Sequence, residues 1–107
     1  MDLKEYHKWL VDFYKKRNWY NYDSFIRCAF LTEEVGELAQ AIRKQEIGRD
    51  RPDEIEKSNR ENLEDIKEEL GDVIDNIFIL ADKYNLSIGD IMVSHRNKLE
   101  KRFKKWT

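Results

Sequence analysis

The chain has little with which to cross-link, kink or turn: one cysteine, one proline and four glycines in 107 residues. A lone Cys28 excludes an intrachain disulfide framework and reads as a small core residue, and no Cys/His group has zinc-ligand spacing. So few turn formers exclude a sandwich or a barrel. Long apolar runs are also missing. The longest, the five residues from Ile77 to Ala81, falls far short of the ~20 needed to span a bilayer. The first ten residues, MDLKEYHKWL, lack the apolar region of a secretory signal, so the expected location is the cytosol and no membrane partner is expected. Charge of one sign is absent as well: 20 Lys plus Arg face 22 Asp plus Glu, a formal net charge of −2. That balance gives no argument for a nucleic-acid partner.

What is present is amphipathic helix. Charged residues make up 39% and apolar residues 40% of the chain, too apolar for disorder. Leu3, Tyr6, Leu10 and Phe13 follow a 3.6-residue period to about Arg17. Asp23 or Ser24 is placed to cap a second helix with the stripe Leu31, Val35, Leu38 and Ile42. A charged linker around Gly48 and Pro52 follows. Ser58 with Glu61 forms a capping box for a long third helix striped by Leu63, Ile66, Leu70, Val73, Ile77, Leu80 and Tyr84. Ser87 with Asp90 repeats the box for a fourth. The expectation is a single all-α domain over residues 1–107, a four-helix, bundle-like protomer with no competing β pattern.

The chemistry lies in an internal echo. Residues 33–38 are EEVGEL and residues 68–73 are EELGDV, with Leu31 and Ile42 of the second helix matched by Ile66 and Ile77 of the third. At about 100° per residue, Glu34 and Glu37 fall roughly 60° and 120° to one side of their apolar stripe. Glu69 and Asp72 take the same offsets on the other helix, whereas Glu33, Glu68 and Asp75 point away. Like charges one turn apart repel, and an interior glycine such as Gly36 or Gly71 costs up to ~1 kcal/mol against alanine. Local stability explains neither liability, let alone both at matched positions. A hard divalent cation explains them: carboxylates on facing helices supply the oxygens that Mg²⁺ or Mn²⁺ prefer, and zinc, which favours His and Cys, is the weaker choice. The glycines would then allow close backbone approach beside the site.

The combination Glu33-Glu34-Val35-Gly36-Glu37, a spacer, then Glu69-Leu70-Gly71-Asp72 on two helices resembles the MazG-like nucleoside triphosphate pyrophosphohydrolases. The likeness extends to Arg17-Asn18-Trp19 and to the basic ending Asn97-Lys98-Leu99-Glu100-Lys101-Arg102-Phe103. It implies Mg²⁺-dependent cleavage of a nucleoside triphosphate between the α- and β-phosphates, giving monophosphate and pyrophosphate. It also implies that Glu34, Glu37, Glu69 and Asp72 bind the metal, the four acids that the helical projection selects. The water would need a general base near the cluster, and Glu33 and Glu37 are both candidates.

Substrate contacts are expected from several further residues. Asn97 and Lys101 share a face of the fourth helix with Lys98 beside them, in a segment, 96–107, that carries six Lys or Arg and one Glu. Trp19 is a candidate for stacking on a base, as an aromatic in relatives does. Phe30 and Asn76 project to the acidic flank of their helices. Arg43 and Lys44 stand where some relatives place a base-holding aromatic. His7 and His95 read as surface residues. The nearly all-round apolar stretch from Val73 to Ala81 predicts a homodimer or homotetramer. Two other readings remain open: phosphoribosyl-ATP pyrophosphohydrolysis in histidine synthesis, and a non-catalytic helical module for oligomerisation or nucleic-acid binding.

Overall fold

A computed structural model describes residues 1–49 and 51–104. The chain is all-α. Its helices are α1 (Leu3–Lys16), α2 (Ser24–Ile47), α3 (Asn59–Lys83) and α4 (Ile88–Arg102), with no strand among the described residues. Their starts are set by side chains that accept the otherwise unpaired first amides. Asp2 accepts from the Glu5 amide at 2.8 Å, and Asp23, rather than Ser24, accepts from Ile26 at 2.9 Å. Ser58 and Glu61 bond reciprocally at 3.1 and 3.2 Å, and the Asp90 amide donates to Ser87 Oγ at 3.1 Å. Helix α2 stops at Gly48, whose φ of 79° lies where a side chain is strained. The Arg43 guanidinium then holds the linker, donating to the Gly48 carbonyl at 3.2 Å and meeting Glu54 at 3.4 Å.

Two compact units divide the chain: Asp23–Ile77 is one, and Met1–Tyr22 with the chain from Phe78 onward is the other. In the latter, Leu10 and Val11 of α1 close on Phe78 and Ile79 at the end of α3, with Tyr6, Tyr14, Tyr20 and Ile88 packed around them. Ile79 is fully buried. Beside this core the Asp82 carboxylate accepts the Tyr20 hydroxyl at 2.7 Å and lies 3.2 Å from His7 Nε2. Burial, and then Asp82, push the Tyr20 phenol up to about 12. His7 is therefore not the surface residue the sequence suggests; its ring also stands edge-on to Phe78 at 5.2 Å.

In the Asp23–Ile77 unit, α2 runs antiparallel to the first eighteen or so residues of α3. Arg27 bonds Asn76 at 3.1 Å near one end of the pair, and Gln45 bonds Asn59 near the other. The seam between them is not the apolar stripe. Its buried residues are Arg27, Ala41, Asn62 and Asn76, whereas Val35, Ile42, Leu63, Leu70 and Ile77 remain between 43% and 50% exposed. The buried line runs along one edge of each stripe, where Leu31, Leu38, Ile66 and Val73 are half-buried. Cys28 is exposed, not a core residue. The chain lacks, among the described residues, any helix long and apolar enough to cross a membrane.

Candidate metal centre

The polar seam repeats every seven residues on both helices. Arg27 pairs with Asn76, Glu34 and Glu69 face each other one level on, and Ala41 and Asn62 are buried at the next level. Seven residues are two helical turns, ~10.5 Å along each axis. The middle level carries the acids. Oxygens of Glu34, Glu37 and Glu69 lie within 4.8 Å of one another, with Glu34 and Glu69 half-buried and Glu37 exposed. Asp72 is not part of this triad; it acts on Glu34 and Glu69 as a neighbouring negative charge.

Crowding shows in the proton affinities. Burial first, then the charges of Glu37 and Asp72, push the Glu34 carboxyl up to about 7. Burial, Glu37 and Asp72 push Glu69 up as well. One oxygen of each, Oε2 in both cases, is buried with no hydrogen-bond partner. Buried carboxylate oxygens without donors are costly unless a proton or a cation meets them. The donor set is entirely hard oxygen, and it fits a Mg²⁺-class ion.

Of the other acids that the sequence singles out, Glu33 and Glu68 are exposed, in keeping with their outward projection, whereas Asp75 is half-buried and engaged in interactions. Among the described residues Gly36 and Gly71 serve no close backbone approach: beyond its own helical turn, a Cβ at either would meet no atom within 4 Å. Phe30 lies under the Arg27 guanidinium at 5.1 Å. Asn76 is buried with both ends of its amide used, Oδ1 accepting from Arg27 and Nδ2 donating to the Asp72 carbonyl at 2.9 Å.

The remaining candidates belong to the other unit. Trp19 stands edge-on to Phe13 at 6.0 Å and to Tyr14 at 5.5 Å. Asn97, Lys98 and Lys101 are exposed on α4, where Arg96 is paired with Glu100 at 2.9 Å. The last three positions of the basic ending, Lys105 among them, lie outside the described residues. Arg27 is the seam residue that pattern reading misses. Its signal was the seven-residue spacing Arg27, Glu34, Ala41 on α2, matched by Asn62, Glu69, Asn76 on α3.

Comparison with known proteins finds a family and a relative. The family model described as MazG nucleotide pyrophosphohydrolase domain matches residues 26–107, a span that includes every acid of the cluster. The chain is also 55% identical over 103 residues, 96% of its own length and 97% of the relative's, to a Bacillus subtilis (strain 168) protein described as "Uncharacterized protein YvdC". No solved structure matches it.

Proposed function

This chain belongs to the MazG nucleotide pyrophosphohydrolase family, and from that premise we propose that it hydrolyses a nucleoside triphosphate between the α- and β-phosphates in the presence of Mg²⁺. The observation that carries the proposal is the convergence of Glu34, Glu37 and Glu69 with two buried, unpartnered oxygens. Glu34, Glu69 and the nearby Asp72 would hold the ion together with Glu37, and Mn²⁺ is the natural substitute. When bound, the cation supplies polarisation of the phosphate oxygens and shields them from the acids.

The chain's own residues do the rest. One oxygen of Glu34 and one of Glu69, Oε2 in each, lie out of bulk water, and charge interactions are stronger there than in solvent. Glu37, at the exposed edge of the triad, is accessible to water, whereas Glu33 stands on the exposed outer face. This favours a Glu37 carboxylate oxygen as the acceptor of the water proton. The water oxygen attacks the α-phosphorus, the bond from that phosphorus to the α–β bridging oxygen breaks, and pyrophosphate leaves. The substrate is present in the cytosol, the compartment we propose for the chain. The half-exposed stripe of Val35, Ile42, Leu70 and Ile77 supports a homodimer or homotetramer, since scattered exposure is ordinary but a continuous apolar stripe is not.

A panel of ribo- and deoxyribonucleoside triphosphates, with phosphoribosyl-ATP as a separate arm, tests the reading. The expected products are monophosphate and pyrophosphate in equal amounts, dependent on Mg²⁺ or Mn²⁺ and abolished by EDTA. Release of orthophosphate alone, or no release with any substrate, would defeat it. The role of the basic α4 is tested by Lys101→Ala. Loss of one charge-assisted contact of roughly 1.5–3 kcal/mol should raise KM for the triphosphate at least about tenfold. With kcat kept, the contact is one made equally in ground and transition states.

A further inference from the structure

Arg27 is the buried charged residue among the described residues, 5% exposed, in a chain whose other charges stay at or near the surface. Burying a guanidinium is costly unless it is paired and hydrogen-bonded. Here the geometry is specific. Nη1 donates to Asn76 Oδ1 at 3.1 Å, and Asn76 Nδ2 donates to the backbone carbonyl of Asp72 at 2.9 Å. A side chain of α2 is thereby tied, through one amide, to the turn of α3 that carries Asp72. On α2 the tie lies two turns before Glu34; on α3 it lies two turns after Glu69. Phe30, one turn along from Arg27, lies beneath the guanidinium at 5.1 Å and limits its movement.

We propose that Arg27 and Asn76 are a positioning pair, which locks α3 against α2 so that the carboxylates of Glu34, Glu37 and Glu69 are already converged when a divalent cation arrives. The inference rests on the cation reading above and assigns residues that hold the site without touching the ion. Without such a lock, repulsion between the acids would drive the two helices apart at that level. The restraint that the pair supplies is mechanical, a tie between α2 and α3 made by two hydrogen bonds. Its chemistry also explains the residue types. Arginine's planar fork directs a donor at a fixed acceptor, which a flexible ammonium does not. Asparagine accepts at one atom and donates at the next, which neither aspartate nor leucine does.

The test is Mn²⁺ binding to the full-length chain without nucleotide, followed by the electron paramagnetic resonance signal of the free ion, with folding checked by circular dichroism. Arg27→Met keeps a long side chain without donors, Asn76→Leu keeps the shape without the amide, and Arg27→Lys keeps the charge without the fork. Residues that orient metal ligands typically change affinity 10–100-fold, so the Mn²⁺ Kd should rise at least about tenfold in each variant that folds. Ile79→Val, in the core of the other unit, lowers the melting temperature while its Kd should stay within about twofold of the wild type. Wild-type-like Mn²⁺ affinity in folded Arg27→Lys or Arg27→Met would overturn the positioning role and leave the cation reading standing. Absence of Mn²⁺ binding to the wild-type chain would overturn that reading, and this inference with it.

Discussion

Glu34→Gln is expected to lower turnover at least about a thousandfold and, in the same protein, to raise the melting temperature measured without divalent cation. The two effects have opposite signs because one side chain serves opposed ends. In the proposed reaction it belongs to the oxygen set for an ion whose charge stabilisation is worth several kcal/mol, which corresponds to roughly three decades in rate. In the cation-free fold it is a half-buried acid crowded by Glu37, Asp72 and Glu69, with one oxygen unpartnered. A neutral amide removes that repulsion. Relief of only 1 kcal/mol shifts the midpoint of a domain of this size by about 4–8 °C. Asp72→Asn should likewise lose most activity. Glu68→Gln, on the exposed face, should stay within a few-fold of wild type in rate and unchanged in melting. Rates from a pyrophosphate-release assay and melting curves in EDTA check both halves. Glu68→Gln as damaging as Glu69→Gln would mean that the assignment of inner and outer faces is wrong.

The ends of the helices and the sorting of the acids were legible because both are local. Caps depend on residues three apart, and Asp23, Ser58 with Glu61, and Ser87 with Asp90 bond as their spacing suggests. The inner set Glu34, Glu37, Glu69 and Asp72 depends on 100° per residue along a regular helix; the structure brings the first three together and leaves Asp72 outside their triad. What one stripe packs against is not local. Leu63, Leu70 and Ile77 form a faultless helical period and still remain half-exposed, because α2 meets α3 along Arg27, Ala41, Asn62 and Asn76. Periodicity measures how apolar a face is, and it carries no information on which neighbour covers it. The same gap hides His7, whose partner Asp82 lies 75 residues away. Gly36 and Gly71 mislead for a related reason. A matched glycine suggests a close neighbour, and the neighbour has to be found in space, where among the described residues there is none.

Without divalent cation, stability should fall as pH rises from about 5 to about 7.5, against the usual direction for carboxylates that are paired in the native state. The sign follows from proton counts. The Glu34 carboxyl is raised from 4.5 to about 7 in the folded chain, and Glu69 is raised too. Between those values the folded protein still holds a proton that the unfolded chain has released. Stability therefore declines with pH across that window and is flat with respect to Glu34 below about 4.5. Glu61 does not offset this. Its carboxyl is lowered by the Ser58 hydrogen bonds, so its contribution is complete above 4.5 and is lost only in more acidic solution. Tyr20, raised to about 12, acts only in alkali. A divalent cation takes the place of the proton, so stabilisation by Mg²⁺ should be larger at pH 8 than at pH 6, and binding near pH 6 should release protons. Melting curves across this range, with EDTA and with Mg²⁺, give both slopes. The difference between wild type and Glu34→Gln isolates the cluster, since groups not coupled to Glu34 cancel. That difference should grow by about 4 °C or more between pH 5 and pH 7.5. A constant difference, or a Mg²⁺ increment independent of pH, would mean that Glu34 and Glu69 hold no proton in the empty site, and the strain that a cation is proposed to relieve would not exist.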